Sequence, residues 1–391
     1  MEDLLMNIVF LSPHFPPNFF RFCVHLRQLG ANALGIADAS WEELRPELRD
    51  ALTGYYRTDM NNYDQLLRAC GHFTHRYGKL DRIESHNEFW LETEARLRQD
   101  FNVDGVRPDN IAKVTLKARM KEGFQEAGID VARGRVVSSL EEARDLVGEI
   151  GFPAVLKPDR GVGAASTFRV NDHQELETVF AKKLPVDYIM EEFIQGVIHS
   201  FDGLTDRDGR IVFCASHVFS QGIMETVNED RDIFYYSQRA IPADLEAAGR
   251  NAVRAFDIRE KFFHLEFFRT VTNDRIVAIE VNMRPPGGLT MDMFNFANDI
   301  DLYREWANIV VNNHFSATYN RPYHCAYIGR KLRKSYVHDH QAIMGAYGHL
   351  IVHHEPIHSV FSAAIGDFGY LARSEDLEQL LALGRFIQST S

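Results

Sequence analysis

Around residue 266 the chain reads His264-Leu-Glu266-Phe-Phe, turns near Asn273-Asp274, and returns as Ile279-Glu280-Val281-Asn282-Met283-Arg284-Pro285-Pro286-Gly287-Gly288. Alternate residues of a strand share a face, so Glu280, Asn282 and Arg284 point one way while Val281 and Met283 point the other. With three residues in the hairpin loop, Glu266 falls opposite Glu280 on that same face. Like charges facing each other across a ladder destabilise it, and flanking Phe, Leu, Val and Ile raise the cost by desolvating them. A hard divalent cation removes the conflict, with Asn282 as a neutral oxygen ligand. Glu266, Glu280 and Asn282 are therefore the expected metal ligands for Mg²⁺, with Mn²⁺ as a substitute. Two ions are expected, an arrangement that suits phosphoryl transfer. Arg284 is expected to hold the transferring phosphoryl group or an acyl phosphate. A different turn would put the acids on opposite faces, each solvated. Left without a cation, the pair predicts that removing Glu280 leaves stability unchanged or improved.

A second constellation runs Pro153-Ala-Val-Leu-Lys157-Pro158-Asp-Arg-Gly161-Val-Gly163-Ala-Ala-Ser166. A strand delivers a lysine and a loop of small residues follows, which lets backbone N–H groups approach phosphate oxygens. The bland alternative is a strand-end lysine before a flexible turn. A third, Ile189-Met190-Glu191-Glu192-Phe193-Ile194, reads as a hinge whose backbone meets an adenine edge, with Glu191 accepting from the amino group. Two exposed carboxylates at a strand end are the competing reading. His199 lies within reach of a ribose hydroxyl on the first view and is a satisfied or exposed histidine on the second.

These residues need strands to aim them. Asn7 to Ser12 is an apolar strand, Asn18 to Leu29 a helical run, and Gly30 a C-cap glycine before a strand at Ala33 to Ile36. Such a β-α-β start implies a parallel sheet. No GxGxxG follows the first strand, which weakens a dinucleotide-binding reading. A new helical segment opens at Pro108 and ends at Ala127-Gly128. The chain from about 200 onward is rich in short strands.

The composition narrows the class. With 391 residues, 45% hydrophobic and 25% charged, the chain suits two or three globular domains. A formal charge of −12 and no basic stripe argue against nucleic acid. No stretch approaches the roughly 20 apolar residues of a membrane helix, and the acidic start MEDLLMNIVF is wrong for a secretory signal. The 4 cysteines show no CxxC spacing, so neither a disulfide framework nor a zinc site is suggested and a cytoplasmic setting is expected. The histidines after residue 337 lack a helical metal register. Arg239 is a candidate carboxylate grip within the specificity region 221–239, or else a surface residue.

In this order and spacing, the three constellations resemble the ATP-grasp superfamily over nearly the whole chain. The resemblance implies an α/β (α+β) fold with a Rossmann-like pre-ATP-grasp domain at 1–108. It further implies a small nucleotide-gripping subdomain at 109–200, a large subdomain with the metal site at 201–320, and a β-rich extension at 321–391. It implies a first ATP-binding lysine, Lys117, with Lys113 as the weaker match, and a second at Lys157. Gly161, Gly163 and Ser166 close over the triphosphate, and Glu191, Glu192, Phe193, Ile194 and His199 serve adenine and ribose. A family glutamate seven residues after the hinge acid is Ile198 here. The implied activity is ATP-dependent carboxylate–amine ligation through an acyl phosphate, with Arg284 and Lys157 as catalytic groups. Small-molecule carboxylate and amine substrates are implied, and a homodimer is entertained. Carboxylation in the manner of biotin carboxylase and a non-catalytic ATP-binding regulatory protein are the alternatives.

Overall fold

The computed structural model describes residues 5–161, 167–182, 186–220 and 230–390. Its strands form three sheets. The first has the order Gly54–Arg57, Asn32–Ala37, Asn7–Leu11, Arg82–Glu84 and is parallel throughout. Parallel neighbours require crossover connections, and the helices Phe20–Gln28 and Tyr63–Tyr77 lie in two of them. Asn7–Leu11 is buried along its length because both faces are covered. Ile8 and Phe10 join one core, Val9 and Leu11 another.

The second sheet is antiparallel, in the order Gly134–Val137, Tyr188–Glu192, Ala154–Pro158, Phe168–Val170. The helices Leu140–Ile150 and His173–Ala181 close its core through Leu146 and Leu176 against Leu156 and Met190. Gly134 is required here: a Cβ at this position would lie 2.2 Å from the Met190 carbonyl oxygen and 2.7 Å from the Glu191 Cα. Its absence lets the edge strand approach the strand that carries Glu191.

The third sheet has ten strands, and its centre positions the chemistry. Phe262–Thr270 lies between Gly196–Thr205 and Ile276–Asn282, antiparallel to both. The run Phe-Phe-His-Leu-Glu-Phe-Phe alternates. Phe263, Leu265 and Phe267 pack into a core with Phe201, Val281 and Met283, beneath the helices Lys117–Glu126 and Ala243–Ala255. Each such side chain gains about 1.5–3 kcal/mol on burial, so the strand cannot turn over. The opposite face is left to His264, Glu266 and Phe268. Residues 321–391 add the strands His324–Arg330, Ile351–Pro356 and Phe368–Ser374 to this same sheet, with three helices between and after them. Among the described residues no helix is long and apolar enough to cross a membrane.

Candidate active site

The hairpin sets Glu266 directly opposite Glu280 and His264 opposite Asn282. It does so by a route the sequence did not suggest. The loop holds four residues, 271–274, because Arg269 pairs with Ile276 and the Thr270 N–H donates to the Arg275 carbonyl. Continued unbroken, that register would place Glu266 opposite Ile279 and turn Glu280 to the far face. A β-bulge between Glu266 and Phe267 absorbs one residue of the returning strand. Ile279 and Glu280 then both reach the cavity face.

That face forms one wall of a cavity of about 410 Å³. Glu266, Glu280, Asn282 and Arg284 line it from the large sheet, Lys157 and Glu191 to Ile194 from the small sheet, and Lys117 from the helix between. Lys117 donates to the Gly161 carbonyl at 3.1 Å. Lys113 is exposed and 4.0 Å from Glu126, and it is not among the residues lining this cavity. Gly163 and Ser166 lie outside the described residues, as do positions 221–229 of the specificity region.

The expectation of two unrelieved carboxylates is overturned. Burial works to raise the Glu280 pKa, but Lys117, the hydrogen bond from Asn282 at 2.9 Å, Lys157 and Arg284 together hold it below the ordinary carboxylate value. Arg284 reaches back to Glu88 of the N-terminal region at 2.8 Å. Burial pushes the Glu88 carboxyl up despite Arg284, with Glu280 adding to the rise.

Glu191 is also placed differently from the reading as an adenine acceptor. Its buried carboxylate is shared by Lys157 at 2.6 Å and by Lys121. Against the cost of burial, the two ammonium groups lower its pKa from 4.5 to about 2. The Lys157 ammonium is desolvated in turn, yet Glu191, with Glu280 and Glu266 beyond, keeps its pKa above the ordinary lysine value. Glu192 pairs with Arg133 at 2.7 Å, and Arg169 lies 4.2 Å from the Phe193 ring centre.

His199 does not face the cavity. It stands opposite Phe267, whose side chain belongs to the helix-covered core, so alternation turns it to that side. Burial lowers its pKa, against a smaller opposing influence of Gln238. Arg239 is exposed and donates to the backbone carbonyls of Arg321 and Glu375, an anchoring role and not a grip on substrate.

Four participants were not picked out from sequence: Lys121, Glu88, Asp202 and His264. For His264 the signal was present, since it lies two residues before Glu266 and shares its face. Asp202 is fully buried opposite it. The His264 Nδ1 lies 2.5 Å from Asp202 and its Nε2 lies 3.1 Å from Glu266. Burial disfavours the imidazolium, but the two carboxylates, Asp202 foremost, raise its pKa to about 10. Each ring nitrogen thus lies within hydrogen-bonding distance of a carboxylate.

The oxygens of Glu266, Glu280 and Asn282 are hard donors of the kind Mg²⁺ takes, and two carboxylates suffice where phosphates and water complete an octahedron. Among the described residues no group of three or more His, Cys, Asp and Glu is arranged to hold a metal, which applies equally to the C-terminal histidines.

Residues 150–292 match a protein family described as the ATP-grasp domain. The chain is 27% identical over 254 residues to the L-arginine-specific L-amino acid ligase of Bacillus subtilis, covering 63% of this chain and 61% of that enzyme. It thus spans less than two thirds of that relative's length. The crystal structure of L-amino acid ligase from Bacillus licheniformis matches with a TM-score of 0.76 at 14% identity, over 97% of this chain and 96% of that one. Biotin carboxylase from Campylobacter jejuni, solved with a nucleotide, matches at 0.71 and 14% identity, over 97% and 89%. At those identities the two crystal structures share the fold.

Proposed function

We propose, from the premise that this chain carries an ATP-grasp domain, that it is an ATP-dependent carboxylate–amine ligase. One observation carries this reading. Glu266 and Glu280 face each other on one wall of a cavity that Arg284 shares with them and whose other walls bring Lys117 and Lys157. Two acids set among three cations suit a polyphosphate with its divalent ion and a second anion beside it. The relative named as an L-amino acid ligase supports amino acids as the substrate class.

In the proposed reaction a substrate carboxylate oxygen attacks the γ-phosphorus of ATP, and ADP leaves. The amine nitrogen then attacks the acyl carbon, phosphate departs, and the nitrogen loses a proton to give the amide. Lys117 and Lys157 neutralise phosphate charge, and Lys157 is already aimed by Glu191. Backbone groups of Glu192 to Ile194 meet the base, since the Glu191 carboxylate is engaged with lysines. Arg284, oriented by Glu88, stabilises the acyl phosphate. Glu266, Glu280 and Asn282 would hold Mg²⁺, which supplies charge neutralisation at the phosphates when bound. Catalysis of this kind is largely positioning and electrostatics.

The proposal keeps the division 1–108, 109–200, 201–320 and 321–391. It also keeps a cytoplasmic setting, to which the four buried free cysteines are suited. The test is ADP release with pools of amino acids supplied as carboxylate and amine. Release that requires both, with a dipeptide mass in the products, supports the ligase. Dependence on bicarbonate instead would replace it with carboxylation, and no release with any pool would remove the enzymatic reading.

A further inference from the structure

We infer that Asp202 and His264 are positioning residues: together they fix which oxygen of Glu266 is turned toward the cation. The inference rests on the reading of Glu266 and Glu280 as cation ligands, and it adds a layer behind them. Ser200 stands opposite Glu266 and Asp202 opposite His264 on neighbouring strands, so all four side chains share the cavity face. Asp202, with no exposed surface, accepts from the Ser200 hydroxyl at 2.5 Å, from His217 Nδ1 at 2.8 Å and from His264 Nδ1 at 2.5 Å. The His264 ring is thereby fixed in rotation and position. Its Nε2 is the atom left for the cavity, and it takes Glu266 Oε1 at 3.1 Å. A cation between Glu266 and Glu280 would then be met by Oε2.

A merely structural role explains this arrangement poorly. Burying a carboxylate costs several kcal/mol before its partners repay it, and the neighbouring positions of the same strands show that apolar residues serve this fold well. The network also has a direction. At its inner end His217 Nε2 is buried and has no hydrogen-bond partner among the described residues. At its outer end stands the carboxylate that faces Glu280. Outer partners of metal ligands fix ligand orientation, and their loss weakens metal binding by about 10–100-fold.

The experiment is calorimetric titration of Mn²⁺ into the full chain saturated with ATP, alongside ATP binding in EDTA. It compares the unaltered protein with Asp202→Asn, His264→Asn, Glu266→Gln and the double variant Asp202→Asn/Glu266→Gln. His264→Asn keeps an amide near Asp202 but is too short to reach Glu266. Asp202→Asn and His264→Asn are each expected to weaken Mn²⁺ binding by about 10–100-fold and to leave metal-free ATP binding unchanged. Glu266→Gln, which alters the ligand itself, is expected to weaken Mn²⁺ binding at least as much. The double variant is expected to bind Mn²⁺ no more weakly than Glu266→Gln alone, because Asp202 acts through Glu266. Ordinary Mn²⁺ affinity in Asp202→Asn and His264→Asn, with Glu266→Gln impaired, overturns the positioning role and leaves the cation site standing. Effects that simply add in the double variant overturn it as well. Ordinary affinity in Glu266→Gln removes the cation site and the inference with it. Should Asp202→Asn fail to fold, His264→Asn alone decides between the same results.

Discussion

Replacing Glu191 by Gln tests the electrostatic design of the cavity at a buried carboxylate. Gln keeps the shape and can still accept hydrogen bonds from Lys121 and Lys157, but the charge is gone. The fall of the Glu191 pKa from 4.5 to about 2 corresponds to about 3 kcal/mol, at roughly 1.4 kcal/mol per pH unit. The folded pKa is depressed, so this stabilisation is fully present above about pH 4.5 and disappears as pH falls through about 2. The effect belongs to the small sheet, where Tyr188–Glu192 is the strand between two neighbours. Hydrogen exchange of those strand amides, corrected for intrinsic rates, reads it locally. The Glu191→Gln protein should lose about 3 kcal/mol of protection at pH 7 and about half of that at pH 3. Equal protection in the two proteins at pH 7 would refute the reasoning. So would a difference that fails to shrink toward pH 3, since packing and not charge would then be responsible.

Two further outcomes are expected. Lys117→Ala should weaken ATP binding measured by calorimetry, whereas Lys113→Ala should not, because only Lys117 lines the cavity while Lys113 stands exposed near Glu126. Glu280→Gln should abolish ADP release and lower the denaturation midpoint at neutral pH. Its carboxylate is held below its ordinary pKa by cations around it, so that stabilisation is present above about pH 4.5 and is lost in acid, where the two proteins should converge.

The sequence made the strands and their chemistry legible where period and residue type agreed. Phe263, Leu265 and Phe267 alternate with His264, Glu266 and Phe268, and the apolar set chose the helix-covered side. The same rule, applied to His199, would have excluded it from the cavity had its partner strand been known, since Phe267 opposite it is core. Pairings that join distant parts of the chain left no trace in spacing. Glu88 meets Arg284 across 196 positions, and Lys121 reaches Glu191 across 70. Those contacts come from the packing of three sheets, and neither residue carries a local signature. The error over Glu280 had a similar origin: the carboxylate pair and Arg284 were visible in one run, but Lys117 and Lys157 reach Glu280 from separate elements.

The loop shows a subtler limit. Facing carboxylates were inferred from a three-residue turn, and they do face each other, but around a four-residue turn followed by a bulge at Ile279. Period-two alternation makes the face of Glu280 a question of parity: one extra residue in the turn reverses it, and one in the returning strand restores it. Neither irregularity is marked by glycine or proline within residues 271–280, so the two could not have been seen separately. What fixes the outcome is the core on the other side. Ala278 and Val281 both belong to the helix-covered cluster, three positions apart where an even strand allows two or four. Between them two residues, Ile279 and Glu280, must therefore lie toward the cavity. The apolar side chains behind the sheet thus decide the orientation of the acid in front of it.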